Sequence, residues 1–372
     1  MNDSIDKKCI VAMSGGVDSS VSAILLKEQG YEPIGISMQV WDYRKNGGCS
    51  TRATCCSPDD FTDARKVAAS INVPYYVFDF ENYFNKEVIQ KFVETYKKGQ
   101  TPNPCVDCNS KVKFKELRNR AKSFGVNRVA TGHYAQIIDT DGTLRLARGV
   151  DKDKDQSYFL YGLKYSELKD TVFPVGHMTK PEVREIARKA GLQVASKPES
   201  QDICFVSGSV QDFLVRIGAK RQAGQIIKRD GTVMGEHEGV HNYTVGQRKG
   251  LRLGTAGEAL YVLEIRPENN QVIVGKKEEL EREGFAVTEL TWLDPIFDDS
   301  FSKQEEFEFE AKVQVRHRHP GVPVNVKILK NGEAEVSFKE EWAIASPGQA
   351  AVFYDVSNTF ILGGGRIKNG MP

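Results

Sequence analysis

The stretch Lys8-Cys9-Ile10-Val11-Ala12-Met13-Ser14-Gly15-Gly16-Val17-Asp18-Ser19 decides the fold. Residues 8–13 form a short apolar run, Gly15-Gly16 punctuates it, and residues 19–29 form a helical pattern that Gly30 stops. A buried strand that passes through a glycine turn into a helix is the opening unit of a parallel sheet. Its turn points backbone N–H groups at the positive end of the helix, where anions bind. Strands over 33–41, 75–80 and 128–131 alternate with helices over 58–70, 83–98 and 111–124. Up to about residue 205 the expected class is therefore α/β, a Rossmann-like parallel sheet covered on both faces.

Beyond that point the chain changes character. A short apolar stretch around Phe213 gives way to glycine-punctuated alternating segments at 225–227 and 259–265. From about Phe285, segments 307–315, 322–329, 334–338, 350–354 and 360–362 predict five or six strands with no helix, which fits a small closed β-barrel. Asp230-Gly231 and Asn331-Gly332 are turn pairs between such runs. With 372 residues, two or three domains are expected: a catalytic domain over 1–208, a small central domain over 209–280 and a barrel over 281–372. The polar start and the early end of the first apolar run predict neither a signal peptide nor a membrane span, hence a cytoplasmic protein. Fifty-one basic against 50 acidic residues leave a net charge of +1, which excludes wrapping of nucleic acid by bulk charge but not a local basic face.

The loop's chemistry follows from its residues. A helix dipole contributes only about 0.3 to 2 kcal/mol. Holding a pyrophosphate must depend on several N–H donors, the Ser14 and Ser19 hydroxyls and a Mg²⁺ that Asp18 helps to position. No Gly-Lys-Ser/Thr follows, so the Walker pattern is absent. The bland alternative is a tight turn with a serine cap. The string Ser14 to Ser19 resembles the pyrophosphate loop of the ATP pyrophosphatases, which cleave ATP between its α and β phosphates and transfer AMP to an oxygen. That resemblance implies adenylation as a first step and leaves the substrate open.

Seven cysteines, an odd number in a reducing compartment, argue against a disulfide scaffold. Thr101-Pro102-Asn103-Pro104-Cys105-Val106-Asp107-Cys108-Asn109 is a proline-stiffened loop entering a helix, where the dipole favours thiolates. Its Cys-x-x-Cys is half of a zinc site or a redox pair, and the spacing decides neither. Cys204 lies far along the chain, either as a small buried hydrophobe or as a reactive thiol. Cys49, Cys55 and Cys56 cluster near Gly47-Gly48 without a fourth zinc ligand and are read as a loop feature, and Cys9 as core.

Taken together, Ser14 to Ser19, Met38, Thr101 to Asn109, Thr131-Gly132-His133-Tyr134, Asp153 to Tyr158, Asp202-Ile203-Cys204-Phe205, Thr244 to Gly250, Pro347-Gly348-Gln349 and Gly363-Gly364-Gly365 resemble the tRNA-specific 2-thiouridylases in order and spacing along essentially the whole chain. The resemblance implies ATP-dependent 2-thiolation of the wobble uridine, position 34, of tRNAs of the lysine, glutamate and glutamine types, with sulfur from a donor fed by a cysteine desulfurase. It implies ATP binding by Ala12, Met13, Ser14, Gly15, Gly16, Val17, Asp18, Ser19, Met38 and Gly132. Cys204 resembles the persulfide carrier and Cys108 the nucleophile that resolves it through a disulfide. Asn103, Pro104 and Cys105 resemble the segment that meets the target base, while His133, Lys154, Asp155, Gln156, Arg316, His317 and Gln349 resemble tRNA contacts. His133 is equally readable as an oriented structural histidine, and Met38 as strand core. Cys105 departs from the branch that carries Asp there. A second use of the thiols is a [4Fe–4S] cluster on Cys105, Cys108 and Cys204 with one iron open to hydrosulfide.

Residues 111–128 hold seven basic side chains (Lys111, Lys113, Lys115, Arg118, Arg120, Lys122, Arg128) against the single acid Glu116. Such a run is a solvated helix face or a phosphate-contacting RNA surface. Two other functions compete. A different ATP pyrophosphatase would not need the three cysteines, and a zinc-bearing RNA-binding module would not need Ser14 to Ser19.

Overall fold

The computed structural model describes residues 7–42, 57–198, 203–206, 208–218, 221–251, 253, 258–297 and 306–368. Cys49, Cys55 and Cys56 lie outside the described residues. The N-terminal part is built on a five-stranded parallel sheet of β1 (Lys8–Ala12), β2 (Glu32–Gln39), β3 (Tyr75–Asp79), β4 (Arg128–Thr131) and a short strand Thr171–Val172, in the order β3-β2-β1-β4 and then Thr171–Val172. β1 is central, and four of its five residues are buried. That is why it is a continuous apolar run with no polar alternation.

Both faces of the sheet are covered. On one, Val21 and Ile24 of helix Val17–Glu28, Ala64 and Val67 of helix Pro58–Ser70, and Val183 and Ala187 of helix Lys180–Lys189 form a core with Cys9 and Val11. On the other, Ile10 and Ile36 meet Phe84, Phe92, Leu117 and Phe213. The chain leaves β1 towards β2 on one side and returns as β4 on the other, so the strand order reverses beside β1. Ligands of doubly wound sheets bind outside the carboxyl ends of the strands at such a point.

Two helices differ from expectation. The helix expected from Lys111 starts at Pro104, whose ring suits a first helical position, and it widens into a π-helix over Cys108–Glu116. Residues 81–97 likewise contain a π segment, Asn85–Ile89. A hairpin of Ala135–Thr140 with Thr143–Arg148 also occurs, closed by Asp141 and Gly142 at φ 53° and 83°. Its Asp-Gly pair is the turn signal that marks it in the sequence.

The central part is a four-stranded sheet in the order Tyr261–Arg266, Gln271–Gly275, Gly224–Ile227, Val233–His237. The C-terminal part is a closed six-stranded barrel running Gly284–Trp292, Ala334–Phe338, Val322–Ile328, Phe307–Gln314, Ala350–Tyr354 and Ile361–Ile367. Its last strand, expected to stop at Leu362, continues through the three glycines because it pairs with a neighbour on each side. The barrel shares an apolar core with the first part: Val106, Phe114, Tyr158 and Tyr161 pack with Val352, Tyr354 and Ile361.

Candidate active site

The phosphate loop sits between β1 and its helix. Gly15 turns in the left-handed region at φ 72°, and a Cβ there would lie 2.3 Å from the Asp60 carbonyl oxygen, so no other residue fits. Gly16 caps the helix without any side-chain hydrogen bond, in contrast to helix Pro58–Ser70, whose N-terminus is closed by a Ser57/Asp60 capping box. The loop helix therefore presents its first turn to a ligand rather than to its own side chain. Ser19 Oγ accepts from Ser14 N at 3.2 Å and lies 3.3 Å from Ser14 Oγ, pinning the ends of the loop together.

Asp18 is held by Lys180, which nothing in the sequence marked, and by Tyr134 of the Thr131–Tyr134 string. Lys180 donates to both carboxylate oxygens at 2.7 and 2.8 Å, and the Tyr134 hydroxyl donates at 2.8 Å. Lys197 donates to the Gly15 carbonyl at 3.1 Å and to Asp60 and Asp63 at 2.7 and 2.6 Å, and its two carboxylate partners outweigh burial to raise its pKa. Gly132 follows β4, and a Cβ on it would stand 2.7 Å from Ser19 N. Its smoothness lets the two strand ends close on the loop. A Mg²⁺ fits this donor set: one carboxylate, Asp18, with the ligand's own phosphate oxygens is a usual way to hold it.

Cys108 and Cys204, partly buried, both pack against the apolar cluster that also takes Ala12 and Met38. Phe92, Phe205 and Phe213 form its aromatic centre, with Phe92 and Phe205 edge to face at 5.3 Å. Fold closure thus brings two distant cysteines onto one apolar cluster, on the face of the sheet opposite the loop helix. Cys105 is exposed, in the first helical turn where a dipole acts, whereas Cys108 lies one turn further on. Among the described residues no group of three His, Cys, Asp or Glu side chains is gathered so as to hold a metal ion. Cys105, Cys108 and Cys204 do not form such a group.

The loop before Cys105 is a three-way junction. Thr101 N donates to Pro347 O at 2.8 Å, Thr101 Oγ1 to Thr244 Oγ1 at 3.0 Å, and Gln349 Nε2 to the carbonyls of Thr101 and Pro102 at 3.2 and 3.4 Å. Pro104 is buried, and the Asn103 side chain hydrogen-bonds to Tyr158. His317 of the barrel contacts the Asp155 carbonyl through Nε2 at 3.1 Å and packs on Phe159 at 4.5 Å. The residues expected to meet RNA at 154–156 and 316–317 thus form one continuous edge. Within it, Arg316 is exposed, Lys154 is half-buried, and Gln156 Oε1 accepts from Tyr134 N at 3.1 Å. The Asp155 carboxylate turns inward to Arg148 at 2.6 Å and to Ser157. Arg148 organises the seam, donating also to Gln314 and Asn358, with its guanidinium 3.7 Å from the Tyr354 ring centroid.

His133 is buried, with Nδ1 2.7 Å from Thr131 Oγ1 and its ring between Phe114 and Phe173. Burial, and less strongly the nearby Lys113 charge, holds its pKa well below the ordinary value, so the ring is neutral at pH 7. The basic run does not make one face. Arg118 is buried and donates to the carbonyls of Asn127, Asp170 and Glu167 and to Thr171 Oγ1, Arg120 pairs with Glu116, and Arg128 lies over the Tyr31 ring. Lys115 and Lys122 are exposed.

A doubly wound parallel sheet with a glycine turn at its switch point has the architecture of the HUP class of α/β domains. The tRNA methyl transferase HUP domain family matches residues 7–208, the tRNA methyl transferase PRC-barrel domain family residues 211–276, and the aminomethyltransferase beta-barrel domain family residues 282–367. The chain is 47% identical over 376 residues to the tRNA-specific 2-thiouridylase MnmA of Geobacter metallireducens, covering 100% of this chain and 99% of that one. It is 45% identical to the protein of that name from Geotalea uraniireducens and 43% to that from Leptospira biflexa, over 98% of this chain and 95% and 94% of theirs. The chain belongs to the tRNA-specific 2-thiouridylase family. Among the described residues no helix is long and apolar enough to cross a membrane.

Proposed function

We propose that the protein uses ATP to replace the C2 oxygen of the wobble uridine of tRNA by sulfur. The observation that carries this reading is that Cys108 and Cys204, far apart in the chain, pack against one apolar cluster with Ala12 and Met38, which lie near the carboxyl ends of β1 and β2. A carbonyl oxygen is a poor leaving group, so activation comes first: the C2 oxygen attacks the α-phosphorus of ATP, pyrophosphate leaves, and AMP remains on the base. The loop N–H groups, the Ser14 and Ser19 hydroxyls and Lys180 bind and orient the phosphates, while a Mg²⁺ held by Asp18 would supply further charge neutralisation.

Sulfur transfer then needs a nucleophile. The terminal sulfur of a Cys204 persulfide attacks C2 and AMP leaves, giving a C2–S–S–Cys204 adduct. The Cys108 thiolate attacks Cys204 Sγ, the S–S bond of the adduct breaks, and its electron pair stays on the sulfur now bound to C2. A Cys108–Cys204 disulfide results, and an external thiol reduces it by two electrons. The target base must leave its stack for C2 to be reached, which suits an anticodon loop. Gln349, His317 and Arg316 of the barrel and Lys154 to Gln156 form the edge on which that loop would rest.

The test is incubation with ATP, Mg²⁺, a persulfide donor and unmodified tRNA, followed by nucleoside mass spectrometry. We expect 2-thiouridine that requires ATP and Cys204. Product without ATP, or full product from Cys204→Ala, overturns the reading.

A further inference from the structure

Asp107 lies inside the Cys-x-x-Cys, between Cys105 and Cys108, and its side chain is only 7% exposed. Nothing in its own turn satisfies that charge; the barrel does. Arg366, 8% exposed on the last barrel strand, donates to Asp107 Oδ2 and, at 3.3 Å, to the Gly348 carbonyl. Lys91 stands 3.3 Å from Asp107 Oδ1 and 2.7 Å from Glu289 of the first barrel strand. Glu289 adopts φ 52° where the register of that strand shifts between Thr288 and Thr291, an irregularity of the kind that re-aims a side chain. The chain Arg366–Asp107–Lys91–Glu289 thus ties the cysteine turn to the barrel, and Gln349 ties the preceding Thr101 and Pro102 to it.

A buried ion pair is weak evidence for stability, because desolvation offsets most of its attraction. What such a pair does well is fix geometry: a guanidinium fork on a carboxylate sets both distance and direction. Here the fork is split, one nitrogen on Asp107 Oδ2 and the other on the Gly348 carbonyl, so it ties the turn that carries Cys108 to the barrel backbone.

We propose that Arg366 and Asp107 are a positioning pair for sulfur release, through which the barrel sets the line along which Cys108 attacks Cys204 Sγ. The inference rests on the reading of Cys108 and Cys204 given above. In the affected step the Cys108 thiolate forms the new S–S bond, the bond between Cys204 Sγ and the transferred sulfur breaks, and its electron pair goes to that sulfur. Neither residue touches the reacting atoms. Displacement of a reacting group by 1 Å costs about 100-fold in rate, so loosening the turn should slow this step alone.

The experiment compares Asp107→Asn, Arg366→Met and Arg366→Lys with the unsubstituted enzyme, loaded beforehand with persulfide. Single-turnover 2-thiouridine release, tRNA-dependent pyrophosphate release and tRNA affinity are measured together with thermal stability. We expect thiouridine release to fall 10- to 100-fold in Asp107→Asn and Arg366→Met, with pyrophosphate release and tRNA affinity within twofold, and with partial recovery in Arg366→Lys. The stalled C2–S–S–Cys204 adduct should accumulate. If Arg366→Met is too unstable to purify, Asp107→Asn, which keeps the shape of the side chain, reads the same step. Unchanged thiouridine release in Asp107→Asn overturns the proposal, as does an equal fall in all three readouts. Cys108→Ala is the control on the underlying reading: undiminished release there removes the role of Cys108 itself.

Discussion

Lys180 and Asp18, 162 residues apart in the chain, meet in a two-oxygen ion pair at 2.7 and 2.8 Å beside the phosphate loop. A cation at the mouth of an anion site is matched there by a carboxylate suited to a metal. Charge is balanced before any ligand arrives, and a bound magnesium–phosphate complex would give Lys180 a phosphate in place of Asp18 and Asp18 a magnesium ion in place of Lys180.

Lys180→Met should therefore weaken adenylation. A charge-assisted hydrogen bond is worth about 1.5 to 3 kcal/mol, so the apparent kcat/KM for ATP should fall roughly 10- to 100-fold while tRNA affinity stays within twofold. Pyrophosphate release at varied ATP, alongside filter binding, measures both. An unchanged kcat/KM would separate Lys180 from the phosphates.

Asp18→Ala and Ser19→Ala should abolish tRNA-dependent pyrophosphate release and leave tRNA binding largely intact. The loop leaves its helix N-terminus without a side-chain cap, and its ends are pinned by Ser19. Normal pyrophosphate release in both variants would take the nucleotide away from this loop.

Much of the site was legible in the sequence because its chemistry is local. The order of strand, glycines and helix sets the direction of the loop N–H groups, whereas the cysteine helix, expected from Lys111, begins at Pro104. What was not legible depends on tertiary closure. Lys180, Lys197, Arg148 and Arg366 look like surface charges until the fold sets a carboxylate before each. Arg118 shows the opposite error. Counted with a basic RNA face, it is instead buried and spends its donors on backbone carbonyls.

That division of the basic run can be measured. Lys111→Ala, Lys113→Ala and Lys115→Ala combined should weaken tRNA binding and reduce the log–log salt slope by roughly 0.7 to 0.9 per lost phosphate contact. Arg118→Ala should leave the slope unchanged and lower stability by about 1 to 3 kcal/mol, since it strands buried acceptors. A flattened slope in Arg118→Ala, or none in the triple variant, would contradict the assignment.

His133 gives a pH test. Burial keeps its folded pKa well below 6.5, its ordinary value, which the unfolded chain retains. As pH falls below 6.5 the unfolded state takes up a proton that the folded state refuses, so stability falls, by about 1.4 kcal/mol per pH unit until the folded group titrates. Between pH 7.5 and 5.5 the unsubstituted protein should lose more stability than His133→Gln, read by denaturant midpoints. Equal losses would mean that His133 titrates normally in the fold.

The central claim is that the C2 oxygen itself becomes bonded to AMP. It is tested most directly with tRNA carrying ¹⁸O at C2 of the wobble uridine, turned over once with ATP and the persulfide-loaded enzyme, and analysed by mass spectrometry of the nucleotide products. The label is expected in AMP, one atom for each 2-thiouridine formed, and none in pyrophosphate. Label in pyrophosphate or inorganic phosphate, or 2-thiouridine formed while AMP stays unlabelled, would contradict it.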